Sequence, residues 1–158
     1  MIVADAGPII ALARAGLLEI LPTLLGQVVV PPAAFSEITR ATGRPGAAEV
    51  RAATWVAVEE VADEAAQLLL SRNLGPGEGE AIQLAYARGA VLLLDERRAR
   101  REAERLGIPL TSTLALLEEA KRQRLLPSVA EALDRLQASG FRLSRDLRAI
   151  VLRRAGEK

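Results

Sequence analysis

A run of five apolar residues at positions 90–94 is the feature that most constrains how this chain can fold. Strands that are apolar at every position are typical of parallel sheets, because helices cover both faces of such a sheet. The segment 2–5, which ends in an acid, and the three valines at 28–30 also predict buried strands. Helical patterns separate these strands. The sequence therefore predicts an α/β fold with a central, mostly parallel sheet.

The 158 residues suit a single domain with one core, and glycines and prolines mark most of the element boundaries. We expect residues 1–123 to form the core of the domain. Residues 124–158 are expected to form a C-terminal helical extension, which is either part of the domain or an association surface. The predicted strands are 2–5, 28–30, 55–58, 90–94 and 108–110, and the predicted helices are 9–14, 17–25, 32–41, 46–52, 62–72, 78–88, 96–106, 113–123, 128–138 and 144–155.

The amino-acid composition restricts the chemistry that the chain can perform. It contains no cysteine and no histidine, which excludes disulfides, thiolate metal sites, most zinc sites and Ser-His-Asp or Cys-His catalysis. An enzyme of this composition would rely on carboxylates, with a hard metal ion bound through oxygen. No apolar run approaches the ~20 residues of a membrane span, and no signal peptide is visible. We therefore expect a cytoplasmic protein without membrane contact.

Four acidic residues occupy positions that the carboxyl edge of a parallel sheet would bring together. Asp5 and Asp95 end predicted strands, Glu37 follows the strand 28–30, and Glu80 lies in the first turn of a later helix. Ligands of open parallel sheets bind beyond these strand ends. Converging carboxylates repel one another unless a cation joins them, and Mg²⁺ or Mn²⁺ in such a site suits phosphodiester chemistry.

Each of these acids also has a purely structural interpretation. Asp5 and Asp95 could cap or begin the helices that follow them. The helix dipole favours Glu78 and Glu80 in a first helical turn, and Glu37 could be a surface residue. Their placement along one edge of the predicted sheet favours the functional interpretation.

The charged residues are unevenly distributed along the chain. Residues 1–80 carry five arginines and ten acids, whereas residues 81–158 carry sixteen basic residues and ten acids. Such asymmetry is typical of proteins in which one half binds a polyanion, although solvated helix faces would give the same count. The candidates for contacts with backbone phosphates follow Asp95 directly and are Arg97, Arg98, Arg100 and Arg101.

Several short motifs, in order and nearly along the whole chain, carry a family resemblance. They are VADAGPII at 3–10, VPP at 30–32 with SEI at 36–38, GEGEAI at 77–82, LLLDE at 92–96, LGIPL at 106–110 with TL at 113–114, AKR at 120–122 and GFRLS at 140–144. With these motifs the sequence resembles the PIN domain family of metal-dependent nucleases, which includes VapC-type toxins. More narrowly, it resembles a bacterial and archaeal subgroup of PIN-domain nucleic-acid-binding proteins.

The resemblance implies a three-layer α/β/α fold with extra C-terminal helices and an acidic quartet around Mg²⁺ or Mn²⁺. The residues that match the family's acids are Asp5, Glu37, Glu80 and Asp95. Glu80 stands where many members have Asp, so Glu78 is a substitute or secondary acid. Many members have Ser or Thr after the first Asp, but this chain has Ala6, and Ser112 or Thr113 is a candidate to supply a hydroxyl instead.

The resemblance further implies hydrolysis of RNA phosphodiester bonds to 5′-phosphate and 3′-hydroxyl ends. The RNA contacts would come from Arg97, Arg98 and Arg101. Toxin members of the family pair with an antitoxin protein, and self-association into a homodimer is expected from the family and the apolar C-terminal helices.

Two other functions compete with the nuclease interpretation. A PIN-like domain could keep its acids yet act as a non-catalytic module that binds nucleic acid or protein. A receiver-like signalling domain would also be α/β with acids at its strand ends. It would require paired acids after its first strand, where this chain has only Asp5, and a late lysine, whereas Lys121 lies within a helical pattern.

Overall fold

A computed structural model describes residues 1–40, 42–61 and 74–158 of the chain. Its centre is a five-stranded sheet in which every neighbouring pair of strands is parallel. The strands are β1 (Ile2–Ala4), β2 (Val28–Val30), β3 (Val56–Val58), β4 (Val91–Leu93) and β5 (Leu110–Thr111). The parallel sheet and its helical layers confirm the predicted three-layer α/β/α fold.

The strand order is β3-β2-β1-β4-β5, so the direction in which the chain builds the sheet reverses next to β1. The first three strands proceed outward from β1, and the chain then returns to place β4 on the other side of β1. In open parallel sheets such a reversal opens a crevice beyond the carboxyl ends of the two central strands. Asp5 follows β1, and Leu94 and Asp95 follow β4 at this crevice.

Nine helices are present in the described residues. Their bounds are α1 (Ala6–Arg14), α2 (Ile20–Leu25), α3 (Pro32–Thr39), α4 (Ala47–Ala52), α5 (Pro76–Arg88), α6 (Arg97–Arg105), α7 (Thr113–Arg122), α8 (Val129–Ala138) and α9 (Arg145–Arg154). The predicted helix 62–72 lies outside the described residues.

Alternation along each strand divides the buried side chains into two hydrophobic cores. In β2, Val28 and Val30 pack into one core, and Val29 packs into the other. The first core holds residues of α1, α2, α7, α8 and α9, whereas the second holds residues of α5 and α6. Because parallel crossovers are right-handed, the reversal of strand order sends α5 and α6 to the opposite face.

The element boundaries differ from the predicted ones by a few residues, for local reasons. Helix α1 begins at Ala6 and not at 9, because Pro8 lies in the first turn, where its missing N–H costs no helical hydrogen bond. The last strand is Leu110–Thr111 and not 108–110, although the N–H of Leu92 still donates to the Pro109 carbonyl at 2.9 Å.

The C-terminal helices share a core with the first helix. Val129 and Leu133 of α8 are fully buried in the same hydrophobic cluster as Ile9 and Leu12 of α1. Helix α9 packs against both α7 and α8. The division of the domain at residue 123 remains a prediction. Within the described ranges, no helix combines the length and apolar character needed to cross a membrane.

Candidate functional site

A cavity of about 620 Å³ opens at the carboxyl edge of the sheet, where the strand order reverses. It is bounded by the start of α1, the start of α5, the segment after β4 and the loop between α8 and α9. Its acidic lining residues are Asp5, Glu37, Glu78, Asp95 and Glu96.

Asp5 is the most deeply placed of these acids and is only 7% exposed. The hydrogen bond from its N–H to the Leu93 carbonyl, 3.1 Å long, extends the pairing of β1 with β4 by one residue. Its side chain makes no capping hydrogen bond to α1. Burial, followed by the charges of Glu78 and Glu37, raises the pKa of Asp5 to about 6, against the opposing effect of the nearby backbone N–H groups.

Gly77 brings the beginning of α5 against two of the acids. A Cβ atom at this buried glycine would lie 3.5 Å from Asp5 Oδ1 and 3.5 Å from Glu37 Oε2. Glu37, on the exposed side of α3, and Asp5, at the end of β1, therefore approach the same backbone atom. The Gly-Pro-Gly turn at 75–77 allows this contact because it adds almost no side-chain bulk to the cavity wall.

Asp95 is held by hydrogen bonds from a single residue. The backbone N–H of Thr113 donates to Asp95 Oδ1 at 2.8 Å, and the Thr113 hydroxyl donates to Asp95 Oδ2 at 2.5 Å. Thr113 is fully buried at the start of α7. Both carboxylate oxygens thus have a fixed donor, which sets the orientation of the side chain. Of the two hydroxyls proposed for the site, that of Thr113 bonds Asp95, although Thr113 does not line the cavity.

The structure places Glu80 and Glu78 differently. Glu80 accepts a 2.9 Å hydrogen bond from the N–H of Ala33 in the first turn of α3, and it does not line the cavity. Glu78 does line the cavity, while its Oε2 accepts a 3.2 Å hydrogen bond from the N–H of Gly75. Of the two alternatives for the third acid, Glu78 is the one that lines the cavity together with Asp5, Glu37 and Asp95.

The remaining sequence candidates lie around the site without lining the cavity. Arg97, Arg98 and Arg101 are exposed on α6. Ser112 caps α7, because its hydroxyl oxygen accepts a 3.2 Å hydrogen bond from the N–H of Ala115.

Arg100 has a structural role between two strands. It donates to the carbonyl of Leu94 at 2.5 Å and to that of Thr111 at 2.9 Å. These bonds tie the segment after β4 to β5. They also turn the Arg100 side chain toward the protein and not toward a phosphate.

The lining residues that were not predicted from the sequence include Glu96, Phe141 and Arg142. Glu96 lines the cavity while its carboxylate accepts hydrogen bonds from Arg98 and Ala99 at the start of α6. Phe141 and Arg142 come from the loop between α8 and α9. The helix break at Gly140, inside the GFRLS motif, was the sequence signal available for these last two.

The donor set of the cavity fits a hard divalent cation. All of its acids offer carboxylate oxygens, and a cation beside Asp5 would oppose the burial and repulsion that raise the pKa of this group. Within the described residues, however, no three acids lie close enough together to hold a metal ion as the side chains stand. The chemistry of the acids therefore matches a hard divalent cation, whereas their spacing is not that of a closed coordination shell.

Comparison with known proteins gives one match. The family model DUF3368, described as a PIN domain, matches residues 1–157. No curated protein and no solved structure matches the chain. Since the family model spans all but the last residue, the chain belongs to the PIN domain family, whose members are in general nucleases or nucleic-acid-binding domains and typically use divalent metal ions.

Proposed function

We propose that the protein is a metal-dependent endoribonuclease whose active site is the acidic cavity at the carboxyl edge of the sheet. The observation that carries the proposal is the state of Asp5, a buried carboxylate beside Glu78 and Glu37 with a pKa raised to about 6. A group in this state is a candidate functional residue, because strongly perturbed carboxyl groups in clefts concentrate at active sites.

Asp5, Glu37 and Asp95 would hold the divalent ion, with Glu78 in place of Glu80 as the further acid. When bound, Mg²⁺ or Mn²⁺ supplies an acidified water and neutralises charge on the phosphate. The residues of the chain contribute position. Asp5 keeps its carboxylate in a buried pocket with little water, and Thr113 fixes both oxygens of Asp95.

Thr113 is buried and orients the carboxylate of Asp95 by donating to both of its oxygens. Its role resembles that of the residues that orient the ligands in metal sites. Such residues fix the direction of a ligand, and their loss typically costs about 10–100-fold in metal affinity or activity. Thr113 therefore supports the site although its hydroxyl does not face the cavity. The Thr113 hydroxyl lies at a different position from the hydroxyl that many family members carry directly after the first Asp, where this chain has Ala6.

A second candidate function is a non-catalytic module that binds nucleic acid. The spacing of the acids favours it, since no three of them in the described part of the chain are close enough to hold an ion. A role as the toxin of a toxin–antitoxin pair, binding of an antitoxin protein and formation of a homodimer remain predictions from the family resemblance.

The decisive experiment compares cleavage of structured RNAs in Mn²⁺ by the wild-type protein and by Asp5→Asn. Asp146→Asn is the matched control, because Asp146 is an exposed aspartate at the start of α9 that does not line the cavity. We expect cleavage by the wild type and the control and none by Asp5→Asn. Equal cleavage by all three proteins would overturn the proposal.

A direct measurement of metal binding separates the two candidate functions. Calorimetric titration with Mn²⁺ is expected to show binding to the wild type and to Asp146→Asn, with strong weakening in Asp5→Asn. RNA binding by a wild-type protein that binds no divalent metal and cleaves no RNA would instead favour the non-catalytic module.

A further inference from the structure

The loop between α8 and α9 contributes a cation to a cavity that is otherwise acidic. Arg142 lines the cavity beside five carboxylic acids and is the one basic residue among the lining residues in the described part of the chain. Its side chain is exposed. The arginines of α6 that the sequence suggested for phosphate contacts do not reach this wall.

Hydrogen bonds at both ends fix the loop that carries Arg142. The N–H of Phe141 donates to the Leu136 carbonyl at 3.0 Å, and the side-chain amide of Gln137 donates to the Leu143 carbonyl at 3.4 Å. Phe141 is half-buried and packs against the first hydrophobic core. The backbone on each side of Arg142 is thus attached to α8, which itself packs against α1.

Unlike Arg135 and Arg148, Arg142 has no hydrogen-bond or ion-pair partner in the described part of the chain. Arg135 donates to the Gly16 carbonyl at 3.1 Å, and Arg148 pairs with Asp134 at 2.8 Å. Arg142 forms neither a hydrogen bond nor an ion pair with any residue in 1–40, 42–61 or 74–158. A guanidinium that stays unpaired beside five carboxylic acids keeps all of its donors for a ligand.

A cationic group on the cavity wall favours the approach of an anionic polymer. The acids repel phosphate, and a cation on the wall offsets this repulsion at one point. Arginine also matches the geometry of a phosphate with two parallel donors. The apolar ring of Phe141 lines the wall next to it.

We propose that Arg142 binds a backbone phosphate of single-stranded RNA at the rim of the acidic cavity and thereby positions the strand over Asp5. This inference rests on the proposed ribonuclease function, which it deepens by naming the substrate contact. The loop 139–144 is then part of the substrate-binding surface. Arg142 acts in substrate binding, whereas the acids act on the bond that is cleaved.

The main alternative is that Arg142 only reduces repulsion among the acids of the free protein. That role would make Arg142→Ala lower the thermal stability without changing the contribution of phosphate contacts to RNA binding. The dependence of binding on salt distinguishes the two, because each neutralised phosphate of a single strand adds about 0.7 to the slope of log affinity against log salt.

The experiment measures the binding of a fluorescent single-stranded RNA by anisotropy, without divalent metal, at several salt concentrations. It uses Asp5→Asn as the parent so that cleavage cannot interfere, and it adds Arg142→Ala, Arg142→Lys or Arg153→Ala. Arg153 is the matched control, an exposed arginine of α9 outside the cavity lining.

We expect Arg142→Ala to weaken binding by about tenfold to a hundredfold, the range for a charge-assisted hydrogen-bonded contact, and to reduce the salt slope by about 0.7. Arg142→Lys should keep the slope but recover only part of the affinity. In protein that retains Asp5, the Arg142→Ala substitution should raise the KM for RNA cleavage and change kcat little. Arg153→Ala should bind as the parent does.

Failure of this inference is distinguishable from failure of the proposed function. If Asp5 is required for cleavage but Arg142→Ala leaves affinity, salt slope and KM unchanged, the inference is wrong and the nuclease stands. If no cleavage occurs but RNA binding depends on Arg142, the contact is supported within a non-catalytic module. A loss of thermal stability with an unchanged salt slope would assign Arg142 to charge compensation and overturn the inference.

Discussion

Asp5 and Asp95 each follow a buried parallel strand, β1 and β4, yet the protein holds their carboxylates in different ways. Asp5 is almost fully buried, has no capping hydrogen bond and has a pKa raised to about 6. Asp95 is only partly buried, and Thr113 donates to both of its oxygens. The same strand-end pattern thus yields one carboxylate that the fold destabilises and another that it satisfies.

The difference indicates a division of roles within the site. A carboxylate whose burial and acidic neighbours outweigh its backbone donors gains most from a cation, because the bound charge opposes the causes of its raised pKa. A carboxylate whose two oxygens already have donors contributes a fixed direction. Substitutions at Asp5, Thr113, Glu78 and Gly77 test this division of roles, with effects that are expected to decrease in that order.

The largest effect is expected from Asp5→Asn in metal-free protein. The ordinary pKa of this carboxyl is near 3.8 and the folded value is about 6, so the folded protein binds more protons than the unfolded chain between these values. The contribution of Asp5 to the free energy of unfolding therefore falls as the pH rises from 3.8 to about 6. At pH 7 the raised pKa of Asp5 lowers the free energy of unfolding by about 3 kcal/mol, and Asp5→Asn should increase it by this amount.

Urea unfolding in EDTA at a series of pH values measures this effect. The difference in unfolding free energy between Asp5→Asn and the wild type should be near zero below pH 4 and reach its maximum above pH 6. Asp146→Asn controls for loss of an aspartate charge elsewhere. A difference that does not change with pH would show that Asp5 is not destabilised by the fold.

The opposite sign is expected for the other acid, because Thr113→Val removes one of the two donors of Asp95 and leaves the backbone N–H in place. Valine keeps the shape of threonine, but Oδ2 loses its 2.5 Å hydrogen bond. Hydrogen bonds to charged groups typically contribute more than neutral ones, so we expect a loss of about 1–2 kcal/mol and a roughly tenfold or greater fall in activity. Thr23→Val, at an exposed position of α2, is the control for the substitution itself. Unchanged stability and activity in Thr113→Val would remove the distinction between the two strand-end acids.

A smaller effect separates Glu78 from Glu80. Glu80→Gln removes a charge from the start of α3 but keeps an oxygen for the Ala33 N–H, so it should cost about 0.3–1 kcal/mol of stability and leave metal binding nearly unchanged. Glu78→Gln should weaken Mn²⁺ binding in calorimetry. The reverse outcome, with metal affinity lost only in Glu80→Gln, would restore Glu80 as the further acid.

Only some of the residues of the candidate site can be predicted from the sequence. The strand-end positions of Asp5 and Asp95 follow from apolar runs and parallel pairing, which the sequence displays locally. The choice between Glu78 and Glu80 does not follow from the local sequence. Residues two apart on a helix point to different faces, and the face that meets the cavity depends on the packing of α5. Arg142 was missed because it reaches the cavity only through the packing of α8 on α1, a contact between distant segments.

The smallest change in stability is expected for Gly77→Ala, which tests how closely Asp5 and Glu37 approach. The new methyl group would lie 3.5 Å from an oxygen of each carboxylate, an ordinary contact distance, and the backbone of Gly77 requires no positive φ. Alanine also favours the helix, so the unfolding free energy should change by less than about 1 kcal/mol.

Metal binding should respond more strongly than stability to Gly77→Ala. The methyl group occupies the point at which both oxygens converge, so an ion between them would lose space and solvent access. We expect weaker Mn²⁺ binding in calorimetry with a nearly unchanged urea midpoint. Gly89→Ala is not a suitable control, because Gly89 has a φ of +59°; Gly79→Ala, two residues along α5 and outside the cavity lining, is preferable. If Gly77→Ala binds Mn²⁺ as tightly as Gly79→Ala does, the ion does not lie between Asp5 and Glu37, and the two acids act separately.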